Sequence, residues 1–153
     1  MAFNITATME AIQSLAKKRT EFADVLIGEP KAPPVADDQG LFASIYMESV
    51  EVSQTTLSGT IELHVVTLRI YRKLLDEAVA EAEWGIAKVV QALVGDMLAD
   101  FDLGATIRNV DVGGASGIPL GTRWGQVTIG STMYRVADIR IPLIVDDSAT
   151  FTA

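Results

Sequence analysis

Leu57-Ser58-Gly59-Thr60-Ile61-Glu62-Leu63-His64-Val65-Val66-Thr67-Leu68-Arg69-Ile70-Tyr71-Arg72-Lys73-Leu74 is the stretch on which the fold turns. It is dense in β-branched and aromatic residues, as is Phe42 to Val52 before it, and the polar Ser53-Gln54-Thr55-Thr56 between them reads as a hairpin connection. Two long antiparallel strands are therefore expected. Within the second, Ile61, Leu63 and Val65 share odd parity, whereas Val66, Leu68 and Ile70 share even parity, so the apolar face changes in mid-strand. A β-bulge near Val65 and Val66 restores a single inward face, and a strand buried on both faces at its centre solves the same problem.

The pattern changes on either side of this ribbon. Downstream, Val79, Ala82, Ile86, Val89, Val90, Leu93, Met97, Leu98 and Phe101 recur at spacings of three and four, which predicts a helix over 76–102. Asp76, Glu77, Glu81 and Glu83 crowd its positive end, and Leu103-Gly104 supplies a glycine suited to a left-handed C-cap. Upstream, Ile5, Met9, Ile12, Leu15 and Ala16 form one stripe of a shorter helix over 5–19, with Asn4 as N-cap and Lys17, Lys18 and Arg19 near its negative end. A brief apolar run, Val25 to Ile27, stops at Gly28, and the Pro-rich Glu29 to Asp38 reads as an extended, solvated loop.

After the long helix, Thr106 to Val112 is expected to be a third strand, followed by a glycine-rich connection from Gly113 to Thr122. Gly130-Ser131 marks a two-residue hairpin turn that pairs Ile129 with Thr132, Val127 with Tyr134 and Gly125 with Val136. The closing strand continues through Ile139, Ile141, Leu143 and Val145, and a parity shift after Val136 suggests a second bulge. With no regular βαβ alternation, the order predicts an α+β fold: an antiparallel or mixed β-sheet with an N-terminal helix and one long helix packed on one face. At 153 residues the chain is expected to be one domain, 1–153, with a core over about 5–147 and a short tail over 148–153.

Twelve basic against 20 acidic residues give a formal charge of -8. That sign opposes the displacement of counterions from phosphates on which tight nucleic-acid binding depends. Cysteine is absent, which removes disulfides, thiolate metal sites and thiol nucleophiles and suits a reducing compartment. No apolar run approaches the roughly 18 to 20 residues of a membrane span, and Met1-Ala2-Phe3-Asn4 lacks the order of a signal peptide. The expectation is a protein that stays in the cytoplasm in which it is made.

Residues that could carry chemistry are isolated. His64 is the single histidine and reads as an ordinary strand residue, because ligand or catalytic histidines come with partners. Gly113 to Gly121 lacks the Gly-Lys-Ser/Thr ending of a phosphate loop, and Ser116 fails the nucleophile-elbow pattern because position 118 is isoleucine. Asp37-Asp38 and Asp146-Asp147 lack the spacing of a calcium loop. No catalytic, cofactor or metal site is expected. Arg69, Tyr71, Arg72 and Lys73 form a compact basic and aromatic stretch, and arginine and tyrosine are favoured at protein interfaces.

Several segments, in order, resemble the tail terminators of long-tailed, siphovirus-type bacteriophages, in the version common among phages of actinobacteria. They are Val25-Leu26-Ile27-Gly28-Glu29-Pro30 with Pro33-Pro34, then Leu68-Arg69-Ile70-Tyr71-Arg72, and Leu103-Gly104 with Ile107-Arg108-Asn109-Val110-Asp111. Gly125-Gln126-Val127, Tyr134-Arg135-Val136 and Ile141-Pro142-Leu143-Ile144-Val145 complete the series, which spans about residues 20 to 147. The resemblance implies a virion structural protein, not an enzyme, assembled in the host cytoplasm. Its subunits would form a homohexameric ring on the head-proximal end of the tail tube, end tube polymerisation and offer a surface for head-tail joining. Its implied partners are itself, the tail tube protein, a head-tail connector or stopper, and phage DNA passing through the lumen without specific binding. No membrane, cofactor or substrate is implied.

A ring needs a heterologous surface that closes by rotation, and strand edges or long loops supply one. Glu29, Pro30, Pro33, Pro34, Arg69, Tyr71, Arg72 and Trp124 are the residues expected at a subunit or tube interface. The competing readings are loop solvation for the first four and sheet packing for the rest. At the level of function the alternatives are another neck component, such as a connector or stopper, a ligand-binding α+β domain unrelated to phages, and a cytoplasmic structural adaptor.

Overall fold

The computed structural model describes residues 3–31, 40–57, 59–74, 79–115 and 117–147. It is an α+β fold in which two helices cover one face of a curled, mixed six-stranded sheet. Helix α1, Ile5–Lys17, begins where Asn4 Oδ1 accepts a hydrogen bond from Ala7 N at 3.1 Å, satisfying one of the N–H groups that the first turn leaves unpaired. Its buried side is Thr8, Met9, Ile12, Leu15 and Ala16. Ile5, expected on that stripe, stands in the first turn and remains exposed.

The apolar run around Val25 proves to be a strand, β1, Phe22–Ile27, lying parallel to β2, Leu41–Thr56. Strand β3, Gly59–Lys73, returns antiparallel to β2, and the two stay paired out to Thr56↔Gly59. Ser53 to Thr56 therefore belongs to the ladder, and the chain reverses only after Thr56. A polar run rich in threonine is good strand material, so its polarity was a false turn signal.

β3 also pairs along its length with β6, Thr132–Asp147, in a register unbroken from Thr60↔Asp147 to Lys73↔Tyr134. That excludes a bulge in β3 at Val65 and Val66 or in β6 after Val136. Of the two readings of the parity change, burial on both faces is the one found. Val66, Leu68 and Ile70 join the core beneath the helices, while Leu63 and Val65 pack with Ile144 on the other face. Val136 likewise lies with Phe42, Tyr71 and Tyr134 on that other face, whereas Ala137, Ile139 and Ile141 face the helices. The register shifts instead fall in β2, between Met47 and Ser49 and between Val52 and Gln54. The first re-aims the strand: Leu41, Ala43 and Ile45 face the helices before it, Val50 and Val52 after it.

The far edge of β6 is shared. Its first half pairs with β5, Gly121–Ile129, and its second half with β4, Asn109–Val110. The β5–β6 register is the expected one, with Ile129↔Thr132, Val127↔Tyr134 and Gly125↔Val136, and Gly130 takes the positive φ of 63° that the tight turn requires. The strand expected over Thr106 to Val112 contracts to the two residues of β4. Arg108 N and Asp111 N continue its edge by donating to Ile144 O and Pro142 O, at 3.0 and 2.9 Å.

Helix α2, Val79–Ala99, ends three residues short of the expected 76–102, whose first residues, 76–78, lie outside those described. It does not end on a single left-handed glycine. The chain leaves the helix at Ala99, and Leu103, Gly104 and Ala105 all take positive φ, held by the buried Leu103 side chain and by Asp100 Oδ1, which accepts from Gly104 N at 3.0 Å. Ile86, Val89, Leu93 and Met97 pack into the core with α1 and the sheet. Full burial of such side chains stabilises by roughly 1.5–3 kcal/mol each. Leu98 and Phe101, expected on the same stripe, face outward and are exposed.

Candidate functional site

Four of the expected interface residues come together. Glu29 and Pro30, just past β1, and Arg69 and Tyr71, on β3, line a cleft of about 300 Å³ closed on its far side by Val127 to Gly130. β1 and β5 stand at opposite ends of the strand order, so the cleft exists because the sheet curls its uncovered face inward. An aromatic cluster forms the floor: Tyr71 stacks on Phe42 with ring centroids 4.4 Å apart and meets Tyr134 edge-on at 5.9 Å. The Tyr71 hydroxyl shares a hydrogen bond of 3.0 Å with Ser44 Oγ, and burial pushes its pKa up. Tyr71 is thus held within the protomer as a core residue, and Glu29 is the exposed member of the group.

The other expected residues lie elsewhere. Arg72 points to the helix-covered face, where it lies across Gly85 of α2; a Cβ added at Gly85 would meet its Nη1 at 2.5 Å. Trp124 is on the same side of the sheet, half exposed on β5. Pro33 and Pro34 fall outside the described residues.

Beside the cleft, the uncovered face of the sheet carries a network of charges that the sequence did not reveal. Arg69 makes a two-pronged pair with Asp138, Nε to Oδ1 at 2.6 Å and Nη2 to Oδ2 at 2.9 Å. Arg140 binds Glu48 at 2.7 Å, and the Thr67 hydroxyl donates to the same carboxylate at 2.9 Å. Partial burial pushes the Glu48 carboxyl up, but the hydrogen bonds from Arg140 and Thr67 and the charges of Arg140 and Arg123 outweigh it, leaving the pKa below the ordinary value. The Tyr46 phenol, with the Arg69 guanidinium 5.7 Å from its ring centroid, is pushed up to about 12 by burial and by the charge of Asp138. Register explains this arrangement: Arg69 stands opposite Asp138 and Thr67 opposite Arg140 in the β3–β6 ladder, so opposite charges and hydrogen-bonding groups meet directly across strands.

Besides the end strand β1, strand edges stand open at β2 and at β5 among the described residues. β1 accompanies β2 only as far as Ile45, and beyond it, among the described residues, no strand pairs with the outer side of β2. Val50 and Val52 are exposed there, as is Leu57 at the end of the ribbon. At the other end of the sheet, among the described residues, β5 pairs only with β6, and Trp124 and Met133 are exposed on the hairpin that the two strands make.

Compared with protein-family models and with curated proteins, the chain's sequence matches none.

The isolated candidates sit in structural settings. His64 is buried on the helix side of β3, its Nε2 2.8 Å from Glu62 Oε2 and its ring 4.6 Å from that of Phe3, while its Nδ1 has no hydrogen-bond partner among the described residues. Asp146 is exposed, 3.8 Å from Arg108. Asp37-Asp38 and Ser116 lie outside the described residues. Among the described residues no three histidine or acidic side chains cluster as metal ligands would, and no helix is long and apolar enough to cross a membrane.

Proposed function

We propose that this chain is a structural subunit that assembles into a ring on the head-proximal end of a phage tail tube, ends tube polymerisation and offers a surface for head-tail joining. The observation that carries this reading is the open outer edge of β2 beyond Ile45, with Val50, Val52 and Leu57 exposed along it. Unpaired strand edges with apolar side chains recruit other chains, and proteins that remain monomeric normally blunt them. A second open edge, on β5, gives the chain the two unlike surfaces that a head-to-tail ring uses. The ordered resemblance of the strand segments to tail terminators supports the same role, with tail tube protein and a head connector or stopper as partners. The role is architectural: the charged groups of the uncovered face bind one another, Arg69 to Asp138 and Arg140 to Glu48. DNA would pass through the ring without specific contacts, in keeping with the formal charge of -8.

The test is negative-stain electron microscopy of the purified protein mixed with assembled tail tubes. Six-fold rings capping one end of tubes that have stopped growing are expected. Rings bound only to head connectors would transfer the protein to another position in the neck, and failure to bind either would refute the reading.

A further inference from the structure

We propose that protomers join through two unlike strand edges, with Val50-Glu51-Val52 of β2 in one copy packing against Arg123-Trp124 of β5 in the next. This names the contact behind the proposed ring and rests on that reading only for the number of subunits.

The side chains of the two edges are complementary by face. Val50 stands opposite His64, which stands opposite Leu143 of the core, and Val50 and Val52 thus point to the side of the sheet that the helices cover. Trp124 stands opposite Ala137 and points to that same side. On the reverse side, Glu51 stands opposite Leu63, and Arg123 opposite Asp138. When the two edges meet with like faces aligned, valines meet tryptophan on one face and a carboxylate meets a guanidinium on the other. Both charges are available for this: Glu51 and Arg123 are exposed, and neither side chain makes a hydrogen bond among the described residues. The carboxylates beside Arg123 within its own chain already have partners: Glu48 is held by Arg140 and Thr67, and Asp138 by Arg69.

Strand direction agrees. β2, β3, β6 and β5 alternate in direction, so a neighbour that continues the sheet from this edge with its helix-covered face on the same side presents its β5 antiparallel to β2. Because the edges differ, each copy retains one open edge after joining, and growth stops only when the rotation closes. The edges are also offset: Glu51 is level with Ile144 of β6, and Trp124 with Ala137, seven residues away along that strand. At the strand rise this is about 23 Å. A ring closed through this contact therefore has strands steeply inclined to its axis, as staggered strands are in a barrel.

The experiment uses two variants of the full chain, Val52→Glu and Trp124→Glu, each blocking one edge at an exposed position. Circular dichroism and thermal unfolding check that both remain folded. By analytical ultracentrifugation the parent protein should associate with rising concentration, and each variant alone should remain monomeric. An equimolar mixture should form a one-to-one dimer that grows no further, because one intact junction remains. Glu51→Arg and Arg123→Glu should each weaken association about tenfold, and the double variant should restore it. A parent that stays monomeric to the order of a millimolar, a variant that associates like the parent, or a mixture that stays monomeric would overturn the contact. Mixtures that dimerise beside uncapped tubes would retain this contact and reject the terminator role; capped tubes indifferent to both substitutions would do the reverse.

Discussion

Glu48 occupies the extra position created where β2 shifts register against β3, and the shift brings its carboxylate to Arg140 and Thr67 on the uncovered face. Because its pKa is lowered in the fold, the stabilisation it provides is complete above the ordinary glutamate range and is lost as the pH falls from there through the lowered pKa. The Glu48→Gln variant should therefore be less stable than the parent near neutrality, with the difference shrinking over the interval that runs down from about pH 5. Urea midpoints measured across that interval would show it, and a difference independent of pH would mean that ionisation of Glu48 contributes nothing. The sequence held a clue to this residue: Leu41, Ala43 and Ile45 share one parity, whereas Val50 and Val52 share the other. The matching change in β3 allowed a bulge on that strand as one of two readings, whereas the register shift lies opposite it, in β2. The partners of Glu48 stood little chance of being read, since Arg140 is 92 positions away and meets it only through the sheet.

At the level of elements, local signals were legible and distant ones were not. The Asn4 cap acts over three residues and was read directly; Asn4→Ala should destabilise the fold by about 1 kcal/mol, and Asn4→Asp should retain most of that. Chemical denaturation of both variants would test this, and equal losses would mean that the side-chain cap is not the source. The β5–β6 register was legible as well, because a two-residue turn fixes every pair beyond it. β1 was missed because it is short and gains its identity from parallel pairing with a strand that begins fourteen positions after its last residue. The outward placement of Leu98 and Phe101 was missed for a different reason. A spacing of three and four marks a face, but α2 carries apolar residues on more than one face, with Trp84 also exposed at 64%.

For the whole molecule, the fold class, the order of the elements other than β1 and the helix-covered face follow from composition and periodicity. The shape of the candidate site does not, because it depends on how far the sheet curls and on where β1 stops. Curling brings Glu29 and Pro30 to Arg69 and Tyr71, while alternation along β3 sends Arg72 to the opposite face from Tyr71. No feature of the local sequence announces an open strand edge; it is defined by the neighbour that is missing.

The unbroken β3–β6 ladder bears on motion as well as on form. β3 is bonded on both sides along nearly its whole length, whereas β2 beyond Ile45 is bonded on one side only. The molecule therefore has a stiff spine and a compliant rim. Amide deuterium exchange should be slowest through Leu63 to Ile70 and faster along Ser49 to Thr55, and uniform protection across β2 and β3 would contradict this. Ring closure would damp that rim, so the slowing of exchange along Ser49 to Thr55 would report when, and at which edge, a neighbouring copy had arrived.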